Sequence, residues 1–358
     1  MILEFPAVRG IQAGREYYVA MCPLGSVQKL FRFTDSGLEP ELRAQRQLNR
    51  GRIPEMTRYV VDNPDNYVFS ALTASIDGEA KFVPTDDRAD GQLGLLRVPM
   101  ASRIIINDGQ HRQAAIEAAL ADAPQLADET IAVVLFHDRG LERCQQMFAD
   151  LNRYAVRPSR SLSVLYDQRD DQALLAKLVL SQLPELSGLV ELEKSSLSPR
   201  SKALFTLSAI YTATAALLTD VDLKGSEARA ASAADFWRRV AAQMTEWRKA
   251  RDGELTSGDV RETFIHSHGV VLHALGRVGN VLLKGDGKAL SRLDRLSRID
   301  WRRGAPLWDG RAVLAGRVQK THQSVILTAN AIKSHLGLEL SAEEQVLEDA
   351  FGREARAA

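Results

Sequence analysis

Residues 104–116 read IIINDGQHRQAAI. Three isoleucines stop at Asn107-Asp108-Gly109, and an alanine-rich run starts at once. The isoleucines predict a buried strand and the alanines a helix. Gln110, His111 and Arg112 then fall in the helix's first turn, where the helix dipole already places partial positive charge. Asp108 is expected as the N-cap, its carboxylate accepting first-turn amides. Gly109 permits a sharp turn or a close approach of backbone to ligand. The amides of residues 109–112, together with Arg112, have the makings of a phosphate site, because an arginine fork matches phosphate oxygens. Gln110 and His111 would orient a ligand or a water, and imidazole carries a proton near neutral pH. If the site is catalytic, Asp108, Gln110, His111 and Arg112 are its candidates. The plainer alternative is that Asp108 only caps the helix while Arg112 pairs with an acid from a neighbouring element. The spacing leaves both open.

A second stretch, MFADLNRYAVRPSRSLSVLYD at 147–167, bears on the first. Phe148 and Leu151 are spaced to pack inward, and Asn152 is expected to end the helix. An asparagine there is an ordinary C-cap. If the strands of a strand-turn-helix-strand-helix unit lie adjacent and parallel, Asn152 comes near Arg112 and joins the ligand site. Arg153, Arg157 and Arg160 follow it.

The elements that must position these residues alternate over the first 150 or so positions. LEFPAVRGI and REYYVAMC read as two strands around a Gly-containing turn. RIPEMTRYVVDNP has helical spacing and is stopped by Pro64. NYVFSALTASID, LGLLRVP, the Ile104 strand and DETIAVVLFHD read as strands, IDGEAKF carries an Asp-Gly turn signal, and LERCQQMFADLN reads as a helix. An α/β (α+β) layer follows for residues 1–158. Residues 159–358 are expected to be mainly helical. RDDQALLAKLVLSQL, SKALFTLSAIYTATAALL, ASAADFWRRVAAQMTEWRKA, ETFIHSHGVVLHALGRVGNVLL and GRVQKTHQSVILTANAIKSHL all show helical periodicity, with KGSEARAASAA and RKARDGELTSGD as exposed connectors.

Lysine plus arginine and aspartate plus glutamate both number 46 of 358 residues, so no global field draws the chain to nucleic acid. Local patches must do so. Residues 42–58 hold Arg43, Arg46, Arg50, Arg52 and Arg58 against Glu55 alone. Residues 291–320 hold eight basic residues, among them Arg302 and Arg303, against three aspartates. Trp301 and Trp308 in that segment suit either base stacking or core anchoring. Such patches neutralise DNA phosphates, or are solvated faces paired to acids elsewhere. No helix-turn-helix, zinc finger or P-loop pattern is present. Two cysteines give no disulfide framework and suggest a reducing compartment. With no apolar run near the roughly 18 residues of a spanning helix, a cytoplasmic protein is expected. Cys22, just before Pro23, is a candidate redox or partner-linking thiol if a helix start lowers its pKa, or else a small core residue. Cys144 is expected in the core. His266, His268 and His273 do not keep metal-ligand spacing. Asp86-Asp87 and Asp170-Asp171 read as loop charges or caps.

The run NDGQHR with its following Ala-Ala-Ile resembles the signature of DGQHR-domain proteins, which are similar to the ParB-like nucleotide-binding fold. FADLNR resembles that family's second motif. AQRQLNRGRIPEMTRYV and DWRRGAPLWDG resemble its DndB branch, which belongs to DNA phosphorothioation systems. The resemblance implies a DNA-binding transcriptional regulator (a repressor of the modification gene cluster). Double-stranded promoter DNA and other phosphorothioation proteins would be its partners, and a homo-oligomer is left open. It also implies phosphate or nucleotide binding, with ATP or another nucleotide and Mg2+ as the cofactor, at Asp108–Arg112 with Asn152. On this view Arg43, Arg46, Arg50, Arg52, Arg153, Arg157, Arg302 and Arg303 contact DNA. Two alternatives stand beside it: a nucleotide hydrolase or DNA nickase using the same turn, and a scaffold for the modification enzymes.

Overall fold

A computed structural model describes residues 2–31, 49–85, 91–137, 141–153, 158–285 and 289–357, apart from the side chains at 141–145, 152 and 354–357. Two compact units emerge, Met1–Val156 and Arg157–Ala358. Arg43, Arg46, Arg157, Asp86, Asp87 and the side chains of Cys144 and Asn152 lie outside the described residues.

The first unit is a seven-stranded sheet with helices. Strands β1 (Ile2–Gln12) and β2 (Arg15–Pro23) form the expected hairpin, with α1 (Leu24–Leu30) after it. A 3-10 turn (Arg50–Arg52) leads into α2 (Ile53–Val61). There follow β3 (Leu72–Asp77), β4 (Lys81–Pro84), β5 (Leu93–Pro99), β6 (Arg103–Asp108), α3 (Gln110–Asp122), β7 (Thr130–Phe136) and α4 (Leu141–Arg153). The sheet order is β4-β5-β1-β2-β7-β3-β6. Residues 66–71 of the expected NYVFSALTASID strand stay outside the sheet. After Gly78 the chain makes no hairpin, because β4 pairs with β5 rather than β3.

The expected neighbouring parallel strands are corrected here. β3 inserts between β6 and β7, antiparallel to one and parallel to the other. The strands on either side of α3 are therefore neither adjacent nor parallel. Alternation along β6 settles where the helices lie. Ile104 and Ile106 join Ile116 and Ala119 of α3 in one core. Asn107 points the other way and meets Met147 of α4. Helices α3 and α4 thus cover opposite faces, and the route expected to bring Asn152 beside Arg112 is not the one taken. Leu151, expected to pack inward, is 41% exposed.

The second unit is mainly helical: α5 (Arg160–Tyr166), α6 (Asp171–Ser181), α7 (Leu207–Leu218), α8 (Ser226–Gln243), α9 (Thr245–Arg251), α10 (Ser257–Thr263), α11 (Gly269–Lys284), α12 (His322–Leu336) and α13 (Ala342–Ala357). Two short strand pairs accompany them. Asp170 caps α6, accepting from the amides of Gln172 and Ala173. KGSEARAASAA is not a connector: α8 starts at Ser226, because Ala230, Ala233 and Ala234 bury a small-residue face. The next expected helix breaks at Met244. Residues 264–268 precede α11, so His266 and His273 share no helix. All four tryptophans are buried, and Trp301 stacks on Trp308 with ring centroids 5.2 Å apart. They are core anchors, not base platforms.

Two charged ties hold α13. Lys333 Nζ donates to both carboxylate oxygens of Glu344 at 2.7 Å, with both side chains buried. Arg311 grips Glu348 and donates to the carbonyl of Leu327 at 3.1 Å. No described helix is long and apolar enough to cross a membrane.

Candidate functional site

β6 delivers Asp108 to the end of the sheet, and the chain turns into α3 through Gly109 at φ +105°. That left-handed conformation suits glycine. Space demands it as well: a Cβ would lie 2.5 Å from Leu72 Cδ2 and 3.1 Å from Arg112 Nη2. Gly109, not Asp108, is the helix N-cap, and no side chain caps it. This corrects the expected cap. The carboxylate of Asp108 is drawn instead to Arg112, four residues on, with Nη2 to Oδ2 at 2.6 Å.

Arg112 is 13% exposed and deeply engaged. Its Nη1 donates to the carbonyls of Ser70 at 2.8 Å and Ala71 at 3.0 Å, and also to the Ser70 hydroxyl. The guanidinium therefore pins the segment entering β3 onto the first turn of α3. This agrees with the plainer alternative in kind, except that the acid belongs to the same turn.

His111 faces another way. Its Nε2 accepts the backbone N–H of Asn49 at 3.1 Å. The Asn49 side chain in turn accepts from the amide of Gly51. His111 thereby fixes the 3-10 turn that carries Arg50 and Arg52, both exposed and without ion pairs among the described residues. Glu55 and Arg58 follow on α2, which packs beside α3.

Beneath the turn lies Asn107, fully buried. Its Nδ2 donates to Ser75 Oγ at 2.6 Å and lies 2.7 Å from Met147 Sδ. Its Oδ1 has no partner among the described residues, and neither does the buried Nε2 of Gln110. An unpaired buried polar atom is costly, and two of them flank this turn. Sequence reasoning missed the roles of Asn107, Asn49 and Ser70. The signal for Asn107 was an amide ending an all-isoleucine strand. Nothing local signals Asn49 or Ser70, which arrive from distant segments. On the α4 face a cleft of about 340 Å³ is lined by Gln12, Arg15, Glu16, His137, Met147 and Asp150.

The other expected residues disperse. Arg153 is exposed at the end of α4. In the second unit, Arg302 is 69% exposed but is held by Asp300, whose carboxyl sits at about 2 through the hydrogen bonds from Arg302. Arg303 has a buried Nε without a partner among the described residues, and its backbone N–H donates to Thr263. Arg292 and Arg295 donate to the carbonyls of Gly337 and Leu336, where α12 ends. Four of the eight basic residues at 291–320, Arg292, Arg295, Arg302 and Arg311, are thus engaged within the chain itself. Cys22 is 1% exposed, and burial pushes its thiol up to about 11. The expectation of an activated, accessible thiol is overturned by its place in the core beside Ile131.

His266 is a core residue. Trp247 Nε1 donates to its Nδ1 at 3.0 Å, and its Nε2 reaches Glu246 at 3.1 Å. No group of three or more metal-ligating side chains occurs among the described residues.

Neither the curated proteins nor the solved structures contain a match to this chain. A family model does match, over residues 5–339, which takes in both units and the NDGQHR turn. Its description is DndB, DNA-sulfur modification-associated, and the chain belongs to that family.

Proposed function

We propose that this protein is a DNA-binding regulator of a DNA phosphorothioation gene cluster, acting as a repressor on double-stranded promoter DNA. The observation that carries this reading is the exposed pair Arg50 and Arg52, held against the NDGQHR turn by the Asn49–His111 hydrogen bond. Two exposed guanidinium groups without ion pairs among the described residues, carried on a turn held beside a helix N-terminus, suit a phosphate-contacting edge. The family's link to DNA sulfur modification supports the choice of system. Fluorescence anisotropy with the cluster's own promoter tests it. Wild type should bind with a steep salt dependence. Arg50→Ala and Arg52→Ala should each weaken binding and lower the salt slope by about one. Binding that ignores salt, or ignores both substitutions, rejects the proposal.

A second reading, phosphate or nucleotide binding at the turn as in ParB-like folds, is favoured by buried atoms of Asn107 and Gln110 that have no partner among the described residues. With Arg112 already committed to Asp108 and Ser70, the first-turn amides and Gln110 would take the phosphate. Arg112 would then position them. Calorimetry with ATP on wild type and Gln110→Leu separates this reading from the first.

A further inference from the structure

In the second unit α7 and α11 pack at backbone distance: a Cβ on Gly276 would lie 2.3 Å from the carbonyl of Ala213. Beside this pair opens a pocket of about 430 Å³, lined in part by Arg160, Tyr211, His273, Arg277, Lys333 and Glu344. That volume falls in the range of small-molecule sites. Lys320 is not one of the lining residues but stands close enough to act electrostatically on His273 and Arg160. Its Nζ lies 3.7 Å from the Cβ position of Gly269, one helical turn before His273.

The charges around this pocket do not balance. Lys333 donates to both oxygens of Glu344, and Arg277 reaches that same carboxylate at 3.6 Å. Asp170 is occupied by the first-turn amides of α6 and by the Tyr211 hydroxyl at 2.7 Å. Arg160 lies over the Tyr211 ring, 5.7 Å from its centroid. Neither Arg160 nor Lys320 has an ion pair or a side-chain hydrogen bond among the described residues. His273 Nδ1 and Arg277 Nε are buried without partners among them as well. Burial, then Lys320, Arg277, His322 and Arg160, hold His273 down at about 4. Burial and then Arg160 lower Lys320. Like charges gathered in partly buried space are costly until an anion joins them.

We infer that this pocket is an oxyanion site that takes a small phosphate-bearing molecule between Arg160, Lys320 and Arg277, with His273 as a neutral hydrogen-bonding wall. The donor set suits a phosphate group, since two guanidinium forks and a nearby ammonium match its oxygens in charge and hydrogen-bonding type. The ligand source is either free phosphate or the phosphate of a mononucleotide. No residue of the NDGQHR turn takes part, so the inference stands or falls apart from the regulator reading.

The test is thermal unfolding of the full chain, followed by tryptophan fluorescence. Inorganic phosphate and adenosine monophosphate are each titrated against chloride at matched ionic strength. Both probes should raise the wild-type midpoint if free phosphate suffices, and only the nucleotide if the base is needed. Arg160→Ala should weaken the response roughly tenfold or more, as expected for a lost charged donor. Lys320→Met should abolish the response while raising the midpoint of the anion-free protein, because it removes the repulsion. That opposite pair of effects separates loss of a site from loss of fold. No stabilisation of wild type by either probe overturns the inference, and so does an equal response in both variants.

Discussion

The backbone N–H of Asn49 donates to Nε2 of His111 at 3.1 Å, joining positions 62 residues apart. One member belongs to the arginine-bearing turn and the other to the NDGQHR run. The bond requires Nε2 to be unprotonated, because only the lone pair can accept. Both features thus report on one structure.

His111→Leu removes that acceptor. A net hydrogen bond is worth about 1 kcal/mol, so under the proposed regulator role promoter affinity should fall roughly fivefold, in the same direction as Arg50→Ala. The double variant His111→Leu/Arg50→Ala should lose less than the two effects combined, because both act through one turn. Anisotropy titrations at fixed salt measure it. Strict additivity would disconnect His111 from the arginine turn.

Gly109→Ala meets two obstacles, the left-handed backbone and the Leu72 side chain. Its cost should be about 1–3 kcal/mol. Adding Leu72→Ala relieves only the contact, so the double variant should not recover the backbone part. Arg112→Lys keeps the charge but loses the fork that spans Asp108, Ser70 and Ala71. It should destabilise the first unit by about 2 kcal/mol. Urea midpoints without DNA or nucleotide read both, which separates positioning from ligand contact.

The second unit should weaken in mild acid. His266, His268 and His273 are all held below the ordinary imidazole value, chiefly by burial. For His266, protonation would also set a new N–H against that of Trp247. The unfolded chain binds more protons below about 6.5, so stability is full above that pH and declines as pH falls. The fully buried His266 contributes up to about 1.4 kcal/mol per pH unit, and the part-exposed His268 and His273 contribute less. All four tryptophans lie in this unit, so their fluorescence follows its unfolding alone. His266→Gln should flatten the dependence between pH 6.5 and 5, whatever it does to the midpoint at pH 8.

Cys22 should resist thiol reagents. With its thiol at about 11 and 1% exposed, reaction at pH 8 should require unfolding. In a Cys144→Ser background, labelling by a disulfide reagent should be slow in buffer and complete in denaturant. Rapid labelling of the folded chain would show that the β2 segment opens.

Much of the first unit was legible in the sequence because its elements are locally consistent. The isoleucine run, the alanine helix and Pro64 each fix one element by short-range physics. Sheet order was not legible, because β3 reaches its place between β7 and β6 by long-range pairing that no local pattern records. The same limit applied at the site. Asp108 and Arg112 stand four apart, the spacing of a helical ion pair, yet Asp108 read as a cap because the left-handed Gly109 takes that post. The partners Ser70 and Asn49 come from remote loops. In the second unit, the arginines at 291–320 looked like a surface field, since sequence shows charges but not the helix-end carbonyls and carboxylates that absorb four of them.

The glutamates of α13 set a practical border for the protein. The family match ends at residue 339, yet Glu344 and Glu348 lie beyond it and neutralise Lys333 and Arg311. A chain trimmed at the match boundary would lose both carboxylates together with the helix that carries them, and so expose Lys333 and Arg311 without their partners. The helix outside the shared family region is therefore the counterweight for cations inside it, and any truncation meant to preserve the fold has to retain at least residues 342–348.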